Sequence, residues 1–248
     1  MAQSIYRLPT NRAAARATSS ERGRTRFFRN NELLNTLSDP MLQELEHAAR
    51  EINFRKKQTI WSPGDAADRI FLVRSGVCKV AKPMDETREI TLQFFTRGAL
   101  LGEYSALFEE ARDTRCEAYE DSTLFAVPRE DFQRIMQRSA SLTFEVARVV
   151  GARRRRLENR LKNLIFRTAH ARLAGLFLDL ADDFGVRDSR GVIVNLKLTH
   201  REMAALIGAT RETVSFAILD LRKEGLILTE GRRVVLLDPE RLAALRDQ

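Results

Sequence analysis

The chain has 248 residues, of which 44% are hydrophobic and 31% charged, and these fractions are ordinary for a globular protein in water. Its length suffices for two domains of modest size. No uninterrupted apolar run approaches the roughly 18 residues that a membrane span needs, and residues 1–30 contain no apolar segment typical of a secretion signal. We therefore expect no membrane partner and a cytoplasmic location.

The formal net charge of +8 is concentrated near the N-terminus. Residues 1–30 hold seven arginines and one acidic residue, and they lack periodic apolar residues. This composition predicts a disordered basic tail over residues 1–30. A passive tail is favoured, with an arm that contacts DNA phosphates and an organelle transit peptide as the alternatives.

The cysteines and histidines show no pattern typical of a cofactor site. Cys78 and Cys116 lie far apart without CxxC spacing, and His47, His170 and His200 lack the spacing of metal ligands. We expect two free thiols in a reducing cytosol, no metal and no other cofactor. The chain also lacks a glycine-rich phosphate loop and a nucleophile elbow, which disfavours an enzyme.

The first periodic segment predicts a helix between residues 33 and 52, with Ser38 as its N-cap and Pro40 close behind it. Short runs rich in β-branched and aromatic residues follow, and glycine and proline turns separate them. These runs are Thr59–Trp61, Ile70–Val73, Val77–Val80, Ile90–Phe95 and Leu124–Val127. Many short strands with regular turns predict a barrel-like β-roll, here a domain over residues 31–138.

After Pro128 the pattern becomes helical, with one long helix over residues 139–166. Its apolar residues recur at spacings of three, four and seven, which is typical of a coiled-coil seam and predicts a homodimer. The run Arg153–Arg156 interrupts this pattern, and identical cations would repel across a symmetric seam. We therefore expect most of the run to face solvent or to meet acids such as Glu158, and we place a hinge near Phe166–His170.

Residues 197–225 predict a helix-turn-helix. Thr199 followed by Glu202 is a capping box that starts one helix, and Gly208 suits the left-handed position that ends it. Thr210 then caps a second helix, which Gly225 ends. The β-rich runs 226–228 and 234–237 flank a turn and predict a hairpin, or wing, followed by a short closing helix.

The second helix of this motif has two distinct faces. Spacing predicts a core stripe of Val214, Ala217, Ile218 and Leu221. The opposite face carries Glu212, Ser215, Phe216, Leu219 and Lys223, with Arg211 at its edge. Arginine bonds guanine and glutamate accepts from cytosine in the major groove, so this face suits base reading. An ordinary helical hairpin with a charged exposed face is the alternative.

Several motifs together resemble the superfamily of the cyclic-AMP receptor protein and the fumarate-nitrate reduction regulator, over residues 32–237. The motifs are Pro63–Asp65, Ile70–Gly76, Gly102–Glu103, Arg112 followed by Ala118–Ser122, and Arg211–Ser215. The resemblance implies an α+β fold: a cyclic-nucleotide-binding-like β-roll, a long coiled-coil dimerisation helix and a C-terminal winged helix-turn-helix over residues 167–248. It also implies a dimeric regulator that binds double-stranded DNA and works with RNA polymerase.

The resemblance assigns a DNA-contacting set to the C-terminal domain. Its members are Thr199, His200, Arg201, Thr210, Arg211, Glu212, Ser215, Phe216 and Arg232, with Arg233 beside the last. The expected site is a near-palindrome whose half-sites contain a TGTGA-like or GTG-like core. Where the family usually has arginine or lysine, Phe216 stands here, and it favours apolar contact with a thymine methyl.

The resemblance also assigns an effector pocket, although with departures from the cyclic-AMP-binding pattern. Its residues are Gly102, Glu103, Arg112, Asp113, Leu157 and Glu158. Glu103 and Arg112 match the residues that bind the ribose and the phosphate. Asp113 replaces serine or threonine, and an anion about 4 Å from a phosphate costs on the order of 4 kcal/mol, roughly a thousandfold in affinity.

Leu157 and Glu158 replace two hydroxyl residues that meet the purine, so we expect no functional cyclic-AMP site. In that case Arg112 is satisfied internally by Asp113 or Glu103. The tail has no cysteine for an iron–sulfur cluster, and neither cysteine is marked as a haem ligand. A response to another cyclic nucleotide or small ligand is the main alternative; a cyclic-nucleotide sensor that does not bind DNA is a distant one.

Overall fold

A computed structural model describes residues 23–85 and 89–247. Residues 23–29 form helix α1, in which Phe27 and Phe28 are buried and their rings lie 5.2 and 4.9 Å from the ring of Phe125. The prediction of a disordered tail up to residue 30 is therefore wrong for residues 23–30, because two aromatic side chains anchor this segment to the core. Residues 1–22 of the predicted tail lie outside the described residues.

The predicted helix over residues 33–52 is shorter in the structure. Helix α2 spans Asp39–Ala48, and strand β1 (Arg50–Phe54) follows after Ala49 adopts extended backbone. Residue 52 belongs to β1, where it pairs with Leu124. The helical spacing at Ile52 was therefore coincidental, and pairing with a neighbouring strand decided the conformation. Ser38 is the N-cap by position, but its side chain makes no capping hydrogen bond.

The N-terminal domain is a roll of two four-stranded antiparallel sheets, with strand orders β1-β8-β3-β6 and β2-β7-β4-β5. The strands after β1 are β2 (Thr59–Trp61), β3 (Arg69–Ser75), β4 (Cys78–Pro83), β5 (Glu89–Phe95), β6 (Leu100–Leu101), β7 (Arg115–Ala118) and β8 (Ser122–Pro128). A short helix α3 (Glu103–Phe108) joins β6 to β7. Apolar side chains from both sheets, including Trp61, Phe71 and Phe95, form the core between them.

Two helices lead out of the roll. Helix α4 spans Arg129–Arg138, and the long helix α5 spans Ala140–Phe166. Ser139 caps α5 because its Oγ accepts a hydrogen bond from the backbone N–H of Leu142 at 3.2 Å. The side chains of Leu142 and Val146 are buried in the core of the roll, so the first two turns of α5 are attached to the β-roll.

The C-terminal domain surrounds its helix-turn-helix with a four-stranded sheet of order β11-β12-β10-β9. Its elements are α6 (Ala169–Phe184), β9 (Gly185–Asp188), β10 (Gly191–Val194), α7 (His200–Ile207), α8 (Arg211–Lys223), β11 (Ile227–Glu230), β12 (Arg233–Leu236) and α9 (Pro239–Arg246). The predicted wing is the β11–β12 hairpin, with Gly231 at positive φ in its turn. The β9–β10 hairpin was not predicted from the sequence.

The two domains share part of their cores. Val77 and Phe94 of the β-roll belong to the same apolar cluster as the buried residues of α6, α7 and α8. Tyr119 packs edge-on against Phe94, with ring centroids 4.9 Å apart, and its hydroxyl donates a hydrogen bond to the carbonyl of Lys197 at 2.6 Å. Burial raises the pKa of Tyr119, so the phenol stays protonated and can donate this bond.

Over residues 23–85 and 89–247, no helix combines the length and the apolar character needed to cross a bilayer. In the same ranges, no group of three histidine, cysteine or acidic side chains is arranged to hold a metal ion.

Candidate nucleic-acid interface and effector pocket

The helix-turn-helix begins at the predicted capping box, which the structure confirms. Thr199 Oγ1 accepts from the backbone N–H of Glu202 at 3.2 Å, and Glu202 Oε2 accepts from the backbone N–H of Thr199 at 2.7 Å. Gly208 ends α7 at φ 63° and ψ 47°, where a Cβ would approach a neighbouring side chain to 2.6 Å. Thr210 caps α8 by accepting from the backbone N–H three residues later. These local bonds determine where α7 ends and where α8 begins.

Helix α8 divides into the two faces that its sequence predicts. Its buried residues are Val214, Ala217, Ile218 and Leu221. Arg211 and Glu212 are exposed in its first turn, and the outer face exposes 66% of Phe216 and 46% of Leu219. An apolar pair on the outside of a short helix has no role in the core of this domain. The outer face is therefore available to a macromolecule with both polar and apolar groups.

A groove of about 660 Å³ is bounded by α7, α8 and the β11–β12 hairpin. Five arginines from these elements line it: Arg201, Arg211, Arg222, Arg232 and Arg233. Within the part of the chain that the structure describes, no acidic residue lines this groove. Five guanidinium groups around one groove suit the phosphates of a nucleic-acid backbone.

The structure brings most of the predicted DNA-contacting residues to this groove. Thr199, His200, Arg201, Arg211, Ser215 and Arg232 line it, as does Arg233. Thr210, Glu212 and Phe216 do not line it, and lie at the start and on the outer face of α8. Arg222 was missed from the sequence. The signal was present, because Arg222 follows Arg211 by eleven residues, about three helical turns, and so shares its face.

Ser215 is held from two sides. Its Oγ donates to the backbone carbonyl of Arg211 at 2.9 Å, and His200 Nδ1 lies 2.8 Å from the same oxygen. His200 therefore orients Ser215 and ties the start of α7 to α8.

The β-roll contains a cavity of about 440 Å³ at the predicted effector position. Gly102, Glu103, Arg112, Asp113 and Leu157 line it. The sixth predicted residue, Glu158, does not line the cavity. In the single chain it is exposed on α5 and pairs with Arg154 at 2.7 Å.

Two nitrogens of Arg112 are engaged by the protein itself, whereas its buried Nε has no hydrogen-bond partner among the described residues. Its Nη1 donates to the carbonyl of Gly102 at 2.6 Å, its Nη2 donates to the carbonyl of Arg69, and its guanidinium lies 4.7 Å from the ring centroid of Trp61. The expected internal partners, Asp113 and Glu103, are therefore incorrect, because backbone carbonyls take their place. Burial lowers the pKa of Arg112, yet arginine remains charged at neutral pH.

The two acidic residues of the pocket pair with other cations. Asp113 is exposed and forms an ion pair with Lys82 at 2.6 Å, which weakens the repulsion of a phosphate that the sequence predicts. Glu103 is buried, and its carboxylate accepts a hydrogen bond from Arg153 of α5. Arg156 also turns toward the protein, because it donates two bonds to Asp183 at 2.7 and 2.9 Å.

The prediction of a solvated face for the run Arg153–Arg156 is therefore wrong for Arg153, which is largely enclosed, whereas Arg156 is exposed although it pairs with Asp183. The periodicity of the helix turns these two residues toward the protein, where carboxylates from other elements meet them. Arg155 is exposed.

Cys78 and Cys116 are distant in sequence but neighbours in the structure. They lie on the adjacent strands β4 and β7, where Cys78 pairs with Ala118 and Cys116 pairs with Val80. Both are free and buried. Burial raises the pKa of Cys116, whereas a hydrogen bond from Cys116 lowers the pKa of Cys78. The pair forms part of the core between the two sheets.

A pocketed β-roll, a long helix and a winged helix-turn-helix define the class of sensor-linked transcription regulators. Residues 51–139 match the family model of the cyclic nucleotide-binding domain, and residues 171–245 match that of the Crp-like helix-turn-helix domain. Together with the relatives below, these matches show that the chain belongs to the CRP/FNR superfamily of transcription regulators. The predicted fold class is confirmed.

Several curated proteins and solved structures are similar to this chain. The CRP-like cAMP-activated global transcriptional regulator of Mycobacterium tuberculosis is 30% identical, over 77% of this chain and 86% of that protein. The transcriptional regulator LdrP of Thermus thermophilus is 34% identical, over 77% of this chain and 93% of that protein. A solved CRP-family regulator from Thermus thermophilus has 31% identity and a TM-score of 0.65, over 79% of this chain and 97% of that chain. The family implies that the C-terminal domain binds DNA.

Proposed function

We propose that this chain is a homodimeric transcription regulator that binds a near-palindromic DNA site and has no functional cyclic-AMP site. The observation that carries the DNA-binding proposal is the groove beside α8, which five arginines and no described acidic residue line. A duplex seated there would place phosphates on the guanidinium groups and the outer face of α8 against base edges.

The surface of α5 supports the dimer. A stripe of residues at alternating spacings of four and three runs along its side: Thr143, Ala147, Val150, Arg154, Leu157, Leu161 and Leu164. Leu157, Leu161 and Leu164 expose 42%, 61% and 45% of their surface in the single chain. Three exposed leucines in heptad register favour a second copy of α5 as their partner.

The first turn of α8 supports reading of a G·C pair. Arg211 and Glu212 are exposed there, and the resemblance places them against a TGTGA-like or GTG-like half-site. Phe216 follows on the outer face, and we propose that its ring contacts a thymine methyl. Selection from a pool of random duplexes tests this proposal. Enrichment of one half-site in two inverted copies supports it, and recovery of no common sequence refutes it.

Three features of the pocket support the loss of cyclic-AMP binding, although the relative from Mycobacterium tuberculosis is named as cAMP-activated. Arg112 is held by two carbonyls, Glu103 is held by Arg153, and Leu157 offers no hydrogen bond to an adenine edge. A ribose at Glu103 would have to displace the hydrogen bond from Arg153 before it made its own. Calorimetry should detect no binding of cyclic AMP at micromolar concentrations, and a micromolar or tighter dissociation constant would contradict this proposal.

The cavity of about 440 Å³ favours a second candidate, a regulator gated by another cyclic nucleotide or small ligand. A thermal shift of the purified protein with cyclic GMP tests this candidate directly, because a ligand that binds only the folded state raises the unfolding temperature. We place the protein in the cytoplasm with RNA polymerase as its partner, and we propose no enzymatic activity, in line with the regulators to which it is similar.

A further inference from the structure

The turn of the β9–β10 hairpin is connected to the wing by one side chain. Arg190 donates a hydrogen bond from Nη1 to Glu230 Oε1, at the end of β11. The two residues are 40 positions apart in sequence and belong to different hairpins. Arg190 also donates from Nη2 and Nε to the carboxylate of Asp188, at 2.9 and 3.3 Å. Asp188 therefore orients the guanidinium group whose remaining nitrogen binds the wing.

Glu230 is the only acidic residue in the wing, residues 227–236, and cations stand next to it. Arg233 lies directly opposite Glu230 in the β11–β12 pairing, and Arg232 lies in the turn between them. Residues that face each other across two antiparallel strands have Cβ atoms about 5 Å apart, which is close enough for an ion pair. Strand pairing alone would therefore favour a pair between Glu230 and Arg233.

The structure shows a different arrangement. Within residues 23–85 and 89–247, neither Arg232 nor Arg233 forms an ion pair, and the buried Nε of Arg233 has no hydrogen-bond partner. Both arginines line the groove beside α8. Residues 229 and 231 line the groove as well, but Glu230 between them does not. The carboxylate of the wing thus lies outside the groove on Arg190, and the two wing arginines lie inside the groove without it.

We propose that Arg190 is a positioning residue of the wing, which binds Glu230 and so leaves Arg232 and Arg233 available to the phosphates of a duplex. This inference rests on the proposed DNA-binding function. A wing arginine that was paired with Glu230 would have to break that pair before it bound a phosphate. Arg190 removes this competition without contacting DNA itself. Its effect on DNA affinity should therefore depend on the presence of Glu230.

The affinity of the full-length protein for the selected duplex tests this dependence. Arg190→Gln releases Glu230, which can then pair with Arg233. We expect the dissociation constant to rise about 2- to 5-fold for each wing, the range that an exposed ion pair supplies, and so roughly 4- to 25-fold for a dimer. The salt dependence should also fall by about one phosphate contact for each wing, with base preference unchanged.

The second background is Glu230→Gln, which removes the competing carboxylate. In this background Arg190→Gln should weaken binding no more than Arg187→Gln does. Arg187 is the matched control, because it is exposed on the same hairpin and its substitution removes the same charge. Arg190→Lys keeps a cation beside Glu230, so its affinity should lie between those of wild type and Arg190→Gln. Arg190 and Glu230 each expose 43% of their side chains, so these variants should fold.

Equal losses from Arg190→Gln with and without Glu230 would overturn the inference, because Arg190 would then act on DNA through its own charge. Wild-type affinity in Arg190→Gln would overturn it as well. A wild-type chain that binds DNA while the two substitutions act independently contradicts this inference alone. If the wild-type chain binds no duplex, the proposed function fails and the inference falls with it.

Discussion

At the residue scale, the proposed recognition of a DNA sequence depends most directly on the side chain of Arg211. It is exposed in the first turn of α8 and lines the arginine-rich groove. Arg211→Ala should weaken binding to the selected duplex by about 1–3 kcal/mol and relax preference at one base position. A repeated sequence selection with the variant checks both effects.

A phosphate contact would behave differently from a base contact. Removing a phosphate contact would lower the affinity for all duplexes equally and reduce the salt dependence of binding. Arg222→Ala, in the same groove, is the matched comparison. Uniform weakening by Arg211→Ala, with the base preference unchanged, would contradict its assignment to a base edge.

Phe216 gives a second prediction at this scale. If its exposed ring contacts a thymine methyl, replacing that thymine by uracil in each half-site should weaken wild-type binding, because the apolar contact is removed. Phe216→Ala should show no preference between the two duplexes. Equal wild-type affinity for thymine and uracil sites would rule out the contact.

Helix caps and turn positions could be predicted from the sequence, because they depend on residues only a few positions apart. The caps at Thr199 and Thr210 and the left-handed Gly208 follow from short spacing alone. The partners of Arg112 did not follow, because the carbonyls of Gly102 and Arg69 come from segments that only the folded roll brings together. Ion-pair partners far apart in sequence leave no periodic signal.

At the element scale, the long helix carries the prediction of a dimer. Leu161 lies in the heptad stripe of α5, and Leu161→Arg would place a charge in each half of a symmetric seam. Sedimentation should then show monomers at concentrations where wild type is dimeric, and DNA affinity should fall. Asn159→Arg introduces the same charge on the opposite face of α5 and should leave the dimer intact.

A dimer that survives Leu161→Arg would show that this stripe is not the interface. Leu157, Leu161 and Leu164 were visible in the sequence as an apolar pattern, whereas the run Arg153–Arg156 was assigned to a solvated face. That assignment failed for Arg153 because periodicity identifies a face of a helix but not what packs against it.

A further prediction concerns the reactivity of the two cysteines on the paired strands β4 and β7. Burial shields both Cys78 and Cys116, and it raises the pKa of Cys116, so little thiolate forms there. A thiol-specific disulfide reagent at neutral pH should therefore label neither residue in the folded protein and both in denaturant. Rapid labelling of the native protein would contradict this description of the core.

Elements were predictable where they were long or strongly patterned. Helices α5 and α8 and the strand pattern around β3 and β5 follow from apolar spacing. Strand β1 and the β9–β10 hairpin were missed because they are only four or five residues long and are formed by pairing with β8 and β12. For such short segments, tertiary pairing outweighs local preference.

At the scale of the whole molecule, the break between the domains was predicted from the sequence, whereas the packing of one domain against the other was not. Helix α5 ends at Phe166 and α6 begins at Ala169, so two residues form the break at which a hinge was predicted. Phe94 and Tyr119 of the β-roll contact the C-terminal domain through a shared apolar cluster and a hydrogen bond to the carbonyl of Lys197. Rotation at this break would change the distance between the two α8 helices of a dimer, and a ligand matters only if it favours one arrangement.

The central claim is that two copies of α8 read two halves of one site. The most direct measurement is the mass of the complex formed with duplexes that differ only in half-site spacing. We predict two chains per duplex, with tightest binding when the half-site centres lie one helical turn, about 34 Å, apart. A monomer that binds all duplexes equally at moderate ionic strength would contradict the account.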